Sequence, residues 1–124
     1  MSNYKRNVKI GEFDFLQFPR VVWNDKNLSS MAKLLYMAFF DRMKVSYKNG
    51  WFDEDLNVYI YYTLEDICES LQIGEKKAQS LKKELRDKGL ITEVRQGLNR
   101  PNKIFVQRFE DVYSNQELIG LLSE

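Results

Sequence analysis

The 124 residues include no histidine, one cysteine and two prolines. Without histidine, neither Ser-His-Asp nor Cys-His nucleophile pairs can be built, and histidine-containing zinc sites are equally excluded. Nicking chemistry in which a tyrosine attacks across a histidine-bound metal is ruled out too, despite seven tyrosines. Carboxylate or lysine catalysis stays open in principle, but no phosphate loop and no convergent carboxylate set supports it. A non-enzymatic role is therefore expected, with no cofactor and no metal. Cys68 has no partner for an internal disulfide, which fits a reducing cytoplasm. It stands beside Ile67 and Leu71 and reads as a packed core thiol. Long apolar runs are also missing: the longest, Leu34 to Phe40, falls far short of a bilayer span. The N-terminus, MSNYKRNVKI, offers no apolar stretch ahead of a small-residue cleavage site, which argues against secretion.

What is present is the composition of a folded domain: 44% apolar, 14% aromatic and 30% charged residues. The net charge of +1 conceals an uneven distribution. Residues 75–108 carry ten basic and four acidic groups, residues 1–74 are close to neutral, and residues 109–124 carry four acids and no base. A basic block in a near-neutral chain is the electrostatic footprint of a polyanion site. A solvated helical face is the competing explanation.

Residues 13–23, FDFLQFPRVVW, are aromatic and β-branched around Pro19, and predict a short strand followed by a turn or brief helical segment. Ser29 or Ser30 can cap a helix running to about Val45, with Met31, Leu34, Leu35, Ala38, Phe39 and Met43 at helical spacing. Tyr36, Met37 and Phe40 add apolar bulk on other faces, as expected of a helix surrounded by protein. Asn49-Gly50 signals a turn, and the runs around Trp51-Phe52 and Val58–Tyr62 predict a hairpin around Asp53-Glu54-Asp55. These carboxylates read as a solvated tip, because a hard cation needs oxygens from more than one segment.

From Thr63 the pattern becomes specific. Thr63 with Asp66 resembles a capping box, opening a helix from Leu64 to Leu71. A short Gln72-Ile73-Gly74 turn leads to a second helix over Glu75–Lys88, with Ala78, Leu81 and Leu85 as its inner stripe and Gly89 as its stop. Two β-prone runs follow, Leu90–Val94 and Lys103–Val106, around a Gly/Asn/Pro loop. This is a helix-turn-helix with a wing, an α+β winged helix-turn-helix with an N-terminal extension. At about 100° per residue, Lys76 and Lys83 point away from the buried stripe, with Gln79 and Ser80 beside them and Lys77 at the edge. Such groups suit base edges in a major groove. In the wing, Arg95, Asn99, Arg100, Asn102 and Lys103 surround the tip and suit phosphate contact or minor-groove insertion.

The phrases FLQFPRVVW, LSSMAKLLYMAFFDRMKVS, KNGWFDEDLNVYIYYTLEDI, IGEKKAQSLKKELRDKGLI and RQGLNRPNKIFV resemble the N-terminal domain of RepA_N-type plasmid replication initiators. The resemblance runs from about Phe13 to Val106, with the AKLLY…DR, NGW and VYI…T-x-E-x-I elements in register. It implies a winged helix that binds double-stranded DNA repeats (iterons) at a plasmid origin. It also implies self-association as a homodimer, and a separate C-terminal domain, absent here, that engages host replication proteins.

The expected organisation is an N-terminal extension over residues 1–28, a winged-helix DNA-binding domain over 29–108, and an acidic tail or linker over 109–124. Within the tail, Ser114 with Glu117 is a candidate capping box ahead of Leu118, Ile119, Leu121 and Leu122. The sequence is expected to be a DNA-binding fragment of a longer protein. The segment Phe13–Trp23 is a candidate self-association arm, with packing onto its own core as the alternative. Competing functions are a transcriptional repressor of the same fold, and a protein–protein adaptor whose basic face meets an acidic partner.

Overall fold

The computed structural model describes residues 19–122. Pro19 opens α1 (Arg20–Trp23), its carbonyl accepting from the amides of Val22 and Trp23 at 3.1 Å each. The strand expected ahead of Pro19 falls outside the described residues. Ser29 then caps α2 (Ser30–Lys48), its hydroxyl oxygen accepting from the Ala32 amide at 3.1 Å. α2 runs three residues beyond the expected end, to the Asn49-Gly50 turn, where Gly50 takes a φ of +76° that a side chain would strain.

The buried face of α2 differs from the expected stripe. Ala32, Leu35, Tyr36, Phe39 and Ser46 are the buried residues, whereas Leu34 is 38% exposed. Apolar side chains surround this helix, so spacing alone could not choose a face. The choice was made by its neighbours, because α4 (Glu75–Lys88) and β1 (Tyr59–Ile60) both pack against it.

Three short strands form an antiparallel sheet in the order β1, β3 (Lys103–Val106), β2 (Ile91–Val94). Ile60 is opposite Ile104 and both are buried, so the period of two sends Tyr59 and its partner Phe105 to the outer face. Their rings meet edge to face at 5.8 Å. The hairpin before β1 closes through a Phe52–Val58 bridge. Asp53 organises its tip: the carboxylate accepts from the amides of Asp55 and Asn57 at 2.9 Å each and from the Asn57 side chain at 3.2 Å.

The capping box of α3 (Leu64–Leu71) is complete, with Thr63 and Asp66 each accepting from the other's amide at 3.0 Å. The left-handed residue in the turn to α4 is Gln72, at φ +56°, while Gly74 caps α4 with an ordinary φ of −81°. Gly89 ends α4 at φ +85°, as the sequence predicts. Ala78, Leu81 and Leu85 are fully buried and share one core with Leu35, Phe39, Ile60, Ile67, Leu90 and Ile104. Val21, Val22 and Leu28 from the N-terminal side and Tyr113 from the C-terminal side are buried in that same core.

Tyr113 lies between α5 (Phe109–Val112) and α6 (Asn115–Leu122), and α6 opens with the Ser114–Glu117 capping box. The Tyr113 hydroxyl donates to Asp25 at 2.8 Å, and Lys88, the last residue of α4, pairs with the same carboxylate oxygen at 3.0 Å. One buried carboxylate thus ties both ends of the described chain to the end of the second helix of the helix-turn-helix. Burial pushes the Asp25 carboxyl up, but the Asn27 amide, Lys88 and Tyr113 together outweigh it and hold it below the usual range.

Candidate nucleic-acid interface

α4 is amphipathic in the manner its sequence predicts. With Ala78, Leu81 and Leu85 inward, Lys76, Lys77, Gln79, Ser80 and Lys83 are all exposed. Lys76, Gln79, Ser80 and Lys83 line one wall of a groove that continues over Lys82 and Arg86 to Glu93 and Asn102 of the wing. Lys77 is not part of that lining. Lys83 makes an exposed i,i+4 pair with Asp87 at 2.6 Å, an interaction worth under about 0.5 kcal/mol and readily exchanged for another anion.

The wing residues divide into three groups. Arg95, Asn99 and Arg100 are exposed around the tip, where Gly97 at φ +116° and Asn99 at φ +63° reverse the chain. The Gln96 side chain braces the loop by donating to the Pro101 carbonyl at 2.7 Å. Asn102 is exposed but turned toward the helix, its side-chain amide donating to Glu93 at 3.3 Å. Lys103 belongs to the strand and not to the tip. Its ammonium sits over the Tyr59 ring, 4.4 Å from the centroid, on the outer face of the sheet. The structure therefore gathers Lys76, Gln79, Ser80, Lys83 and Asn102 along one groove, leaves Lys77 outside it, holds Arg95, Asn99 and Arg100 on the tip beyond it, and sends Lys103 to the other side of the sheet.

Glu93 was missed by the sequence reasoning. Its side chain is 12% exposed and accepts from Lys82 at 2.9 Å and Arg86 at 2.9 Å, besides Asn102. Burial pushes its carboxyl up, yet the hydrogen bond and charge of Lys82, with the hydrogen bonds from Asn102 and Arg86, hold it below the usual carboxylate range. The signal was available. Strand alternation from the buried Ile91 puts Glu93 on the inward face, and a carboxylate facing a lysine-rich helix calls for partners. A second missed contact is Glu84, which accepts from the Ser29 hydroxyl at 2.8 Å and fixes the start of α2 to α4.

Among the described residues no group of three or more His, Cys, Asp or Glu could hold a metal, and no helix is long and apolar enough to cross a membrane. Cys68 is half-buried on α3, beside the buried Ile67.

A solved structure described as the N-terminal domain of a DNA binding protein superposes with a TM-score of 0.77 at 28% identity, over 97% of this chain and 95% of that one. A second, described as a Rep-DNA complex, gives a TM-score of 0.76 at 29% identity over 95% and 94% of the two chains. A third, described as an MDR initiator, gives 0.72 at 28% identity over 95% and 97%. In sequence, a 41 kDa protein of Lactobacillus helveticus is 37% identical over 92 residues, which is 72% of this chain and 26% of that protein. The chain thus spans about a quarter of the length of the curated relative it matches. Residues 14–118 match the family described as replication initiator protein A (RepA) N-terminus. With most of its length covered by that match and its fold shared with initiator and DNA-binding domains, the chain belongs to the RepA N-terminal family of replication initiators.

Proposed function

We propose that this chain is the DNA-reading domain of a plasmid replication initiator, binding repeated duplex sites (iterons) at the origin. The exposed face of α4 enters the major groove, where Gln79 pairs with adenine, Lys76 and Lys83 donate to guanine, and Ser80 supplies a hydroxyl. Arg95 and Arg100 on the wing tip, with Asn99, lie against phosphates or in the adjoining minor groove. Asn102 and Lys103 have a supporting part, one facing the helix and the other seated on Tyr59. The observation that carries the reading is the groove itself, in which exposed amide, hydroxyl and ammonium groups line up along a helix whose opposite face is fully buried. Membership of an initiator family and likeness to a Rep-DNA complex support the same reading. The protein would act as a homodimer, placing two recognition helices on repeated sites, and would gather host replication proteins through a C-terminal domain outside this chain.

Fluorescence anisotropy on a duplex carrying repeats from the gene's own coding region, against a scrambled duplex of equal length, tests it. A preference of about a thousandfold is expected. Lys76→Ala and Gln79→Ala should each lower discrimination by about 1–3 kcal/mol, while Arg95→Ala and Arg100→Ala should weaken all sequences alike and flatten the salt dependence. Equal binding to both duplexes would reject sequence-specific recognition. Absence of binding would favour a protein–protein adaptor.

A further inference from the structure

The groove between α4 and the wing contains a feature that opposes DNA. Lys82 and Arg86 lie one helical turn apart in its lining, and both are held by a single carboxylate from the wing strand. The donor set converging on Glu93 is an ammonium, a guanidinium and a side-chain amide. That is a donor set typical of phosphate recognition in protein–DNA interfaces. The arrangement is open to the groove on the arginine side, where the Arg86 side chain is 43% exposed against 15% for Lys82.

We propose that Glu93 is an internal phosphate mimic: it occupies Lys82 and Arg86, keeps them from DNA phosphates, and so lowers affinity for DNA of any sequence while the outer wall of the groove reads the site. Specificity is a ratio of affinities. The phosphate contribution to binding carries no sequence information, so engaging two of the ten basic groups in residues 75–108 with one built-in anion raises the share of binding that depends on base contacts. The same carboxylate sets the angle between wing and helix, because its partners come from α4 and from the far side of the wing loop. This inference rests on the DNA-reading function proposed above.

The test is Glu93→Gln, which keeps the shape and removes the charge, with Glu54→Gln at the exposed hairpin tip as the charge-matched control. Binding of the scrambled duplex is followed by anisotropy from low to moderate salt. Glu93→Gln should tighten scrambled binding about tenfold at low salt, and each newly made phosphate contact should steepen the log–log salt slope by about 0.9. Repeat-containing DNA should gain less, so the ratio of the two affinities falls, while Glu54→Gln moves neither by more than about twofold. Arg86→Gln supplies a second arm, whose wild-type-background measurement does not depend on how well the first variant folds. In the wild-type background it should leave the scrambled salt slope unchanged, and in the Glu93→Gln background it should reverse the share of the gain that Arg86 carries, leaving that of Lys82. Unchanged or weaker scrambled binding by a folded Glu93→Gln protein would overturn the proposal. So would an Arg86→Gln loss of equal size in both backgrounds. A wild-type protein that binds repeats and scrambled DNA equally would end the sequence-specific reading, while the Glu93 comparison on scrambled DNA would still decide this one.

Discussion

In the first half of α4, Lys76 and Lys77 project from the helix and hold no ion pair among the described residues, whereas in the second half Lys82, Lys83, Arg86 and Lys88 each meet a carboxylate. The residue types are the same and the helix is continuous, yet one end offers unpaired charge and the other has spent most of it on the protein itself. The difference follows from packing. The second half runs between the wing strand, which contributes Glu93, and the loop after α1, which contributes Asp25. A count of lysines and arginines along a helix therefore overstates its capacity for phosphate, and the excess is set by which neighbouring elements bring acids.

The largest expected effect removes the core support of the second half. Leu85 is fully buried beneath the second half, and Leu85→Ala should destabilise the fold by about 2–5 kcal/mol in urea unfolding. A loss below 1 kcal/mol would mean that α4 is held by its ion pairs and not by its core stripe. Next in size is the contrast between the two ends. Lys88→Met leaves the buried Asp25 carboxylate short of its cation and should destabilise by about 1–3 kcal/mol, while Lys76→Met should stay within about 0.5 kcal/mol. Equal effects at the two ends would erase the distinction.

The smallest effect lies in acid. Asp25 and Glu93 both have carboxyls held below their ordinary values in the folded state. Their contribution is therefore present above the unfolded-state pKa, near about 4, and is lost as pH falls through the lower folded value. Without histidine, no side-chain titration should alter stability between about pH 5.5 and 7.5. Thermal melts should be flat across that range and fall only below about pH 4, and Asp25→Asn should shallow the acid fall. A midpoint that drifts through neutrality would show that another group controls the fold.

The helix-turn-helix was legible because each of its signals is local. Thr63 and Asp66 lie three residues apart and cap each other, the Ala78–Leu81–Leu85 stripe has one clear face, and Gly89 accepts a left-handed φ that the helix stop requires. α2 was legible as a helix but not in its orientation, since apolar side chains on several faces leave spacing without a preferred side. Among the candidate site residues, helical geometry sufficed to place Lys76, Gln79, Ser80 and Lys83 on the exposed face of α4. It could not reveal that Lys103 sits on Tyr59 or that Asn102 turns to Glu93, because the first contact joins two strands distant in sequence and the second crosses the wing loop.

The sequence by itself determined the elements and their order, the buried stripe of the second helix and the concentration of positive charge in one stretch of chain. These are properties of residues within a few positions of one another, where backbone preference and periodicity act. Only the tertiary structure decided which of those charges remain available. For Lys82, Arg86 and Lys88 that outcome depends on carboxylates arriving from the wing strand, at Glu93, and from the loop after α1, at Asp25, whereas the Lys83–Asp87 pair lies within α4 itself. Coulomb attraction selects partners by distance in space, and sequence spacing does not encode that distance once the chain has folded back on itself.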